Sequence, residues 1–240
     1  MYCYIEILQM PILLEVIVTS VHEAIEAELG GADRLELVDA LEHGGLTPKT
    51  EIAAEVLREV SIPVRVMLRE SASMSIVDDA EIRRLRVRAE EFAALPINGL
   101  VLGFITEGHP DLEAMTEILA GAPQSPVTFH RAFDLLNDRM RGIDMLKRIP
   151  QIDRVLTDGG EGSWQARKRR IFEWQRACAP RIEIIFAIGN EISEFSQLCR
   201  EPGHLEVHVG RAARLPHSVS GVVDREQVSA VKRALAGATH

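Results

Sequence analysis

The sequence predicts an α/β protein folded as a single (β/α)8 barrel of the TIM type, a closed parallel sheet with helices outside. Eight strand-and-helix alternations are legible along the 240 residues, and eight is the number that closes such a barrel, which typically takes about 250 residues. The strand stretches are β-branched, apolar runs of the kind buried on both faces. Loops are short, and no compositional break marks a linker. An open doubly wound sheet is the alternative, and eight units without insertions argue against it.

The elements follow in order. Residues 1–12 read as an N-terminal extension, or reflect where translation was taken to start, and residues 13–240 as one barrel domain. Leu13 to Thr19 is the first strand and His22 to Leu29 the first helix, with Ser20 as N-cap, Glu23 completing a capping box, and Gly30-Gly31 closing it. Arg34 to Val38 is the second strand. The loop His43 to Pro48 follows, and its Thr47-Pro48 is expected to begin a helix running to about Val60. Val64 to Arg69 is the third strand, Asp78 to Leu95 a charged amphipathic helix, Gly99 to Ile105 the fourth strand and Leu112 to Ala120 its helix. The fifth strand opens Val127-Thr128-Phe129-His130-Arg131-Ala132-Phe133-Asp134. Then come a helix from Met140 to Ile149, a sixth strand Arg154 to Thr157, and the glycine-rich turn Asp158 to Gly162. A helix from Ser163 to Ala177, a seventh strand Ile182 to Ala187 and a short helix Ile192 to Leu198 lead to the eighth strand, His204 to Val209. A last helix spans Asp224 to Leu235.

Composition narrows function. A formal net charge of -9 disfavours non-specific attraction to nucleic acid or an anionic membrane, which needs a basic face. The basic run Arg167-Lys168-Arg169-Arg170 sits in a helical pattern with Trp164, Ile171 and Trp174 and reads as a solvated helix face. Cys3, Cys178 and Cys199 are too few and scattered for a disulfide framework, so a reducing, cytoplasmic setting is expected. The apolar N-terminus lacks a basic leader and carries Glu6 and Glu15, so it reads as neither signal peptide nor membrane span.

Polar groups in a strand core are costly unless paired, so the charged end of the fifth strand belongs at a rim where a site can form. In barrels of this type the active site lies at the C-terminal strand ends. Arg69, His130, Arg131, Asp134, Thr157, Asp158 and His208 qualify by position. His130 is the candidate acid/base, with Asp134 and Glu36 as orienting or second-base groups. Arg69 and Arg131 offer guanidinium forks for a carboxylate or phosphate. Glu15, Glu36, Glu183 and Glu206 share a local pattern, and alternation puts Ile17 with Glu15, Val38 with Glu36 and His208 with Glu206. One barrel wall is therefore expected to be acidic, balanced by Arg65, Arg69 and Arg131 on the opposite wall. A structural ion-pair network without chemistry is the competing reading. No helical His-x-x-x-His or Glu-x-x-His spacing occurs; His130, His208 and a glutamate could assemble a hard-ligand site across the barrel mouth, but nothing in the spacing demands it, and no metal ligand is assigned. The expected partner is a small anionic molecule.

The runs Gly30 to Leu37, Gly44-Gly45-Leu46-Thr47-Pro48, Val127 to Asp134, Arg154 to Gly160 and Leu205-Glu206-Val207-His208 resemble the CutC family, named for copper homeostasis. The resemblance runs from about Leu13 to Val209. It implies a TIM-type barrel, a cytoplasmic homo-oligomer, and copper as the ion handled. Where members of the family often carry cysteine after the first strand's Leu-Glu and at the end of the second strand, this chain has Val16-Ile17 and Val38. The family's Arg-Pro-Arg-Gly-Gly loop after the third strand reads Arg69-Glu70-Ser71-Ala72-Ser73, and the glycine-rich end of the seventh strand reads Ala187-Ile188-Gly189-Asn190.

Overall fold

Eight parallel strands close on themselves: β1 (Leu13–Val18), β2 (Arg34–Leu37), β3 (Val64–Met67), β4 (Gly99–Leu102), β5 (Val127–Phe129), β6 (Ile152–Thr157), β7 (Glu183–Ile188) and β8 (Glu206–Val209). Each pairs with its sequence neighbours, and β8 pairs with β1 to shut the barrel. This is the predicted (β/α)8 architecture. The structure, a computed structural model, describes residues 12–189, 192 and 206–237. The expected extension before Ile12, most of the helix at Ile192 to Leu198, and His204-Leu205 lie outside the described residues. Seven helices are described: α1 (Val21–Leu29), α2 (Thr50–Glu59), α3 (Asp79–Ala93), α4 (Leu112–Leu119), α5 (Arg139–Leu146), α6 (Trp164–Cys178) and α7 (Arg225–Gly237). None of them is long and apolar enough to cross a membrane.

Strand alternation sorts the side chains into two compartments. Leu14, Val16 and Val18 of β1, Leu35 and Leu37 of β2, and Val64 and Val66 of β3 face outward into the main core beneath the helices. Each such side chain contributes about 1.5–3 kcal/mol by leaving water. The inward series carries the charges, apart from a small apolar cluster of Ile17, Val38, Met67 and Val101. Ile12, assigned by sequence to the extension, is buried in the main core.

Local differences have local causes. The Glu23 amide donates to Ser20 Oγ (3.2 Å), as a cap should, but the Glu23 carboxylate accepts from the Thr19 amide and hydroxyl rather than closing the box on Ser20. Thr47-Pro48 does not begin α2, whose N-cap is Lys49. Thr47 is held instead at the end of β3, its hydroxyl donating to Arg69 O (2.9 Å) and accepting from Arg69 N–H (2.7 Å). The fourth strand stops at Leu102, and Ile105–Thr106 pairs with His109–Pro110 in a hairpin turned by Glu107 and Gly108, both at positive φ. The fifth stops at Phe129, where a 3-10 turn, Arg131–Leu135, swings the charged residues off the ladder.

Candidate functional site

The inner wall is acidic as alternation predicts, and its glutamates are held by Arg34 on the adjoining second strand and by Arg154 on the sixth. Glu15 accepts from Arg34 Nε, and Arg34 Nη2 reaches Glu206 (2.6 Å). Arg154 holds Glu206 with Nε and Nη2 (2.7 and 2.8 Å) and contacts Asp153, which in turn grips Arg65 (2.8 and 2.6 Å). Arg65 and Arg131, expected to neutralise the glutamates from the opposite wall, are engaged instead by Asp153 and by Asp134 and Asp158, and of the three expected arginines Arg69 alone acts on the wall, through its charge on Glu36. Parallel register sets Arg34 directly beside Glu15, within reach without crossing the interior. Glu183 leaves the wall and accepts from Gln175 of α6 (2.9 Å).

The network ends at His208, whose Nδ1 lies 2.9 Å from Glu15 Oε1 and 3.3 Å from Glu36 Oε2. Burial alone would raise the Glu15 pKa, but Arg34 and His208 hold it well below the carboxylate range. Burial pushes Glu36 up to about 7, and the Glu15 charge adds to this against the opposing pull of His208, Arg34 and Arg69. Burial disfavours the His208 imidazolium, yet the hydrogen bond to Glu15 and the two carboxylates raise its pKa above the ordinary value.

Above this network opens a cavity of about 1000 Å³. Its floor and rim come from C-terminal strand ends: Ile17, Ala187 to Gly189, His208 and Gly210. Its wall is Arg131, Asp134, Asp158 and the turn at Gly160 to Gly162, and arginines 139, 167, 170 and 211 face it. Asp134 organises the wall, accepting from Arg131 Nε (2.8 Å), the Thr157 hydroxyl and the Asp158 amide (3.3 Å). Burial raises its pKa, and the Asp158 charge adds to this against the Thr157 and Arg131 bonds. Arg131 also binds Asp158 and keeps half its side chain exposed.

The basic run of α6 is not a solvated face. Arg167 lies over the Trp164 ring (4.2 Å) and donates to Asp158 O (2.7 Å), and Arg170 donates to Gly159 O (2.7 Å), so both cap the glycine turn and face the cavity. Arg169 alone of the four is classed as exposed. The glycine turn immediately before the helix and the i, i+3 spacing of Arg167 and Arg170 are the sequence signals that could have found them. Arg139 and Arg211 were missed because single arginines in loops and at helix starts carry no pattern.

His130 and Arg69 sit deeper. The Ala132 amide donates to His130 Nδ1 (3.1 Å), leaving Nε2 buried without a partner. Burial first, and the Arg69 charge second, depress the His130 pKa to about 3, so its imidazole is neutral near pH 7. Asp134 does not orient it, since its bonds go to the cavity wall. Arg69 donates to His43 O (2.6 Å) and Met74 Sδ (3.3 Å) and is buried away from the cavity lining. Of the predicted site residues, then, Arg131, Asp134 and His208 line the cavity, Thr157 buttresses Asp134, Glu15 and Glu36 are buried against His208, and His130 and Arg69 are enclosed.

Among the described residues the donor set does not fit Cu(I). A thiophilic ion wants thiolate or thioether ligands. Cys178 is buried at the end of α6 in the outer core, and burial pushes its thiol up to about 12. Met67 packs with Ile17, Val38 and Val101, and Met74 accepts from Arg69. Cys3 and Cys199 lie outside the described residues. What the barrel does gather is hard: the ligand atoms of Glu15, Glu36 and His208 lie within 4.8 Å of one another.

Comparison with known proteins agrees with the barrel and its motifs. The human copper homeostasis protein cutC homolog is 40% identical over 152 residues, 63% of this chain and 55% of the human protein, so the chain spans little more than half that relative. A CutC family protein of Xanthomonas campestris pv. campestris (strain B100) is 34% identical over 196 residues, 81% of each chain. The solved CutC structure from Streptococcus agalactiae superposes with a TM-score of 0.73 at 27% identity, covering 82% of this chain and 98% of that one. A family model matches residues 12–213, from the buried residue ahead of β1 to the turn after β8, and the chain belongs to the CutC family.

Proposed function

We propose that this chain serves copper homeostasis, the role printed in the names of its relatives, by binding a small phosphate- or carboxylate-bearing molecule at the barrel mouth and not by capturing Cu(I) on thiolates. The observation that carries this reading is the convergence of Arg131, Arg139, Arg167, Arg170 and Arg211 on one cavity in a chain whose net charge is -9. Guanidinium groups gathered against the overall charge are an anion-recognition arrangement. The cavity also favours an enzymatic reading. Asp134 faces it with a raised pKa and an arginine beside it, the arrangement of a carboxyl that exchanges a proton with a bound substrate. In that reading His130 is a neutral hydrogen-bonding imidazole within the wall. In this reading the protein works in the cytoplasm as a homo-oligomer with no nucleic-acid or membrane partner, and its acidic net charge supports the last point. The test is a thermal-shift screen of phosphate and carboxylate metabolites. Compounds of this class raise the melting temperature of the wild type and not of Arg131→Ala. Equal shifts in both proteins would place the binding elsewhere.

A further inference from the structure

We propose that Glu15, Glu36 and His208 form a binding site for a divalent first-row cation of the Mn2+ or Zn2+ kind. The three come from adjacent strands in fixed register: His208 of β8 pairs with Glu15 of β1, and Ile17 of β1 with Glu36 of β2. Ligands carried on paired strands are held more firmly than ligands on loops.

The spacing is that of a coordination shell. His208 Nδ1 lies 2.9 Å from Glu15 Oε1 and 3.3 Å from Glu36 Oε2. A cation with nitrogen and oxygen ligands at about 2.0–2.2 Å has neighbouring ligand atoms about 2.9–3.6 Å apart, the edges of an octahedron or tetrahedron. The third separation falls inside 4.8 Å, so a small closure of Glu36 completes the face. Glu15 is already oriented for the task, because Arg34 Nε holds its Oε2 and leaves Oε1 toward His208. Metal-bound carboxylates are characteristically fixed in this way by a second hydrogen-bonding partner.

A separate observation points to a ligand in the same interior. Arg69 Nε and His130 Nε2 are buried without hydrogen-bond partners. Arg69 follows the end of the third strand and lies close enough to Glu36 and to His130 for its charge to act on both. Orphaned buried donors are rare and costly. An oxygen carried on the open side of a three-ligand cation would give them a partner.

Two carboxylates and one imidazole are hard to borderline donors, which suit Mn2+, Fe2+ or Zn2+ and not Cu(I). Three protein ligands leave open positions, as in catalytic rather than structural sites. His208 also lines the mouth cavity, so the cation sits at its floor, reachable from solvent. This inference is independent of the anion-binding proposal, since it concerns the residues under the cavity and not the arginines around it.

The experiment is a calorimetric titration of chelator-treated full-length protein with Mn2+, followed by pulsed EPR of the bound ion. The expected result is one Mn2+ per chain with a 14N coupling from a ligating imidazole, and affinity reduced tenfold or more in Glu36→Gln and in His208→Asn. The coupling is read on the wild type, so the test holds even where a variant folds poorly. No binding by the wild type, bound Mn2+ without 14N coupling, or unchanged affinity in well-folded Glu36→Gln overturns the proposal.

Discussion

Arg34 Nη2 donates to Glu206 Oε2 at 2.6 Å while its Nε serves Glu15, so one guanidinium ties the second strand to the first and the eighth across the barrel seam. All three groups are nearly without solvent contact. Breaking a buried ion network by removing one partner leaves uncompensated charge, at a cost of about 3–5 kcal/mol. Arg34→Met is expected to lose stability of that order in urea unfolding, and Arg34→Lys most of it, because an ammonium cannot bridge both carboxylates. A loss below about 1 kcal/mol in Arg34→Met, within the range of an exposed pair, would show that this network does not hold the seam.

His130 gives a pH dependence. Unfolded, a histidine takes up its proton near pH 6.5, and in the folded chain His130 does so only near pH 3. Between those values the unfolded state binds more protons, so stability present above pH 6.5 declines as pH falls toward 3, by up to about 1.4 kcal/mol per pH unit. His130→Asn is expected to flatten that limb of a stability-versus-pH series. In nitrogen NMR the wild-type ring should stay neutral down to at least pH 5, and a midpoint near 6.5 would contradict the buried, Arg69-facing placement.

Much of this was legible in the sequence, for a physical reason. Strands buried on both faces read as unbroken apolar runs, and a period of two then assigns Glu15, Glu36, Glu206 and His208 to one face without any structure. What alternation does not encode is which neighbour stands opposite. The pairing of Arg34 with Glu15 follows from inter-strand register, and those of Arg34 with Glu206 and of Arg65 with Asp153 from closure of the barrel, neither of which a single strand carries. The cavity arginines were hidden differently. Arg167 and Arg170 sit on a charged helix whose pattern suits solvent, and only the fold of the preceding glycine turn brings them to the mouth.

Gly103 marks a close approach. A Cβ there would fall 2.6 Å from His130 Nδ1 and 2.9 Å from Cε1. The ring is enclosed and cannot swing away freely, so Gly103→Ala is expected to destabilise by about 1–3 kcal/mol, as overpacking does. It should also shift the His130 ring resonances. An Ala variant as stable as the wild type with unmoved resonances would show the ring to be less confined.

Cys178 should be inert in the native protein. Its thiol is buried, and at a pKa of about 12 it carries almost no thiolate near neutrality. Iodoacetamide labelling read by mass spectrometry is expected to modify Cys178 only on addition of denaturant. Rapid native-state labelling would return a thiolate to consideration as a copper ligand.

The central claim is that the arginine-lined mouth, and not a thiol, is where this chain meets its ligand. Soaking crystals with the tightest-binding phosphate or carboxylate compound from the thermal-shift screen tests it most directly. Density for the anion is expected at the C-terminal strand ends, against Arg131 and the Gly210 side of the cavity. Density for that compound at any other place on the chain, with the mouth clear, would contradict it.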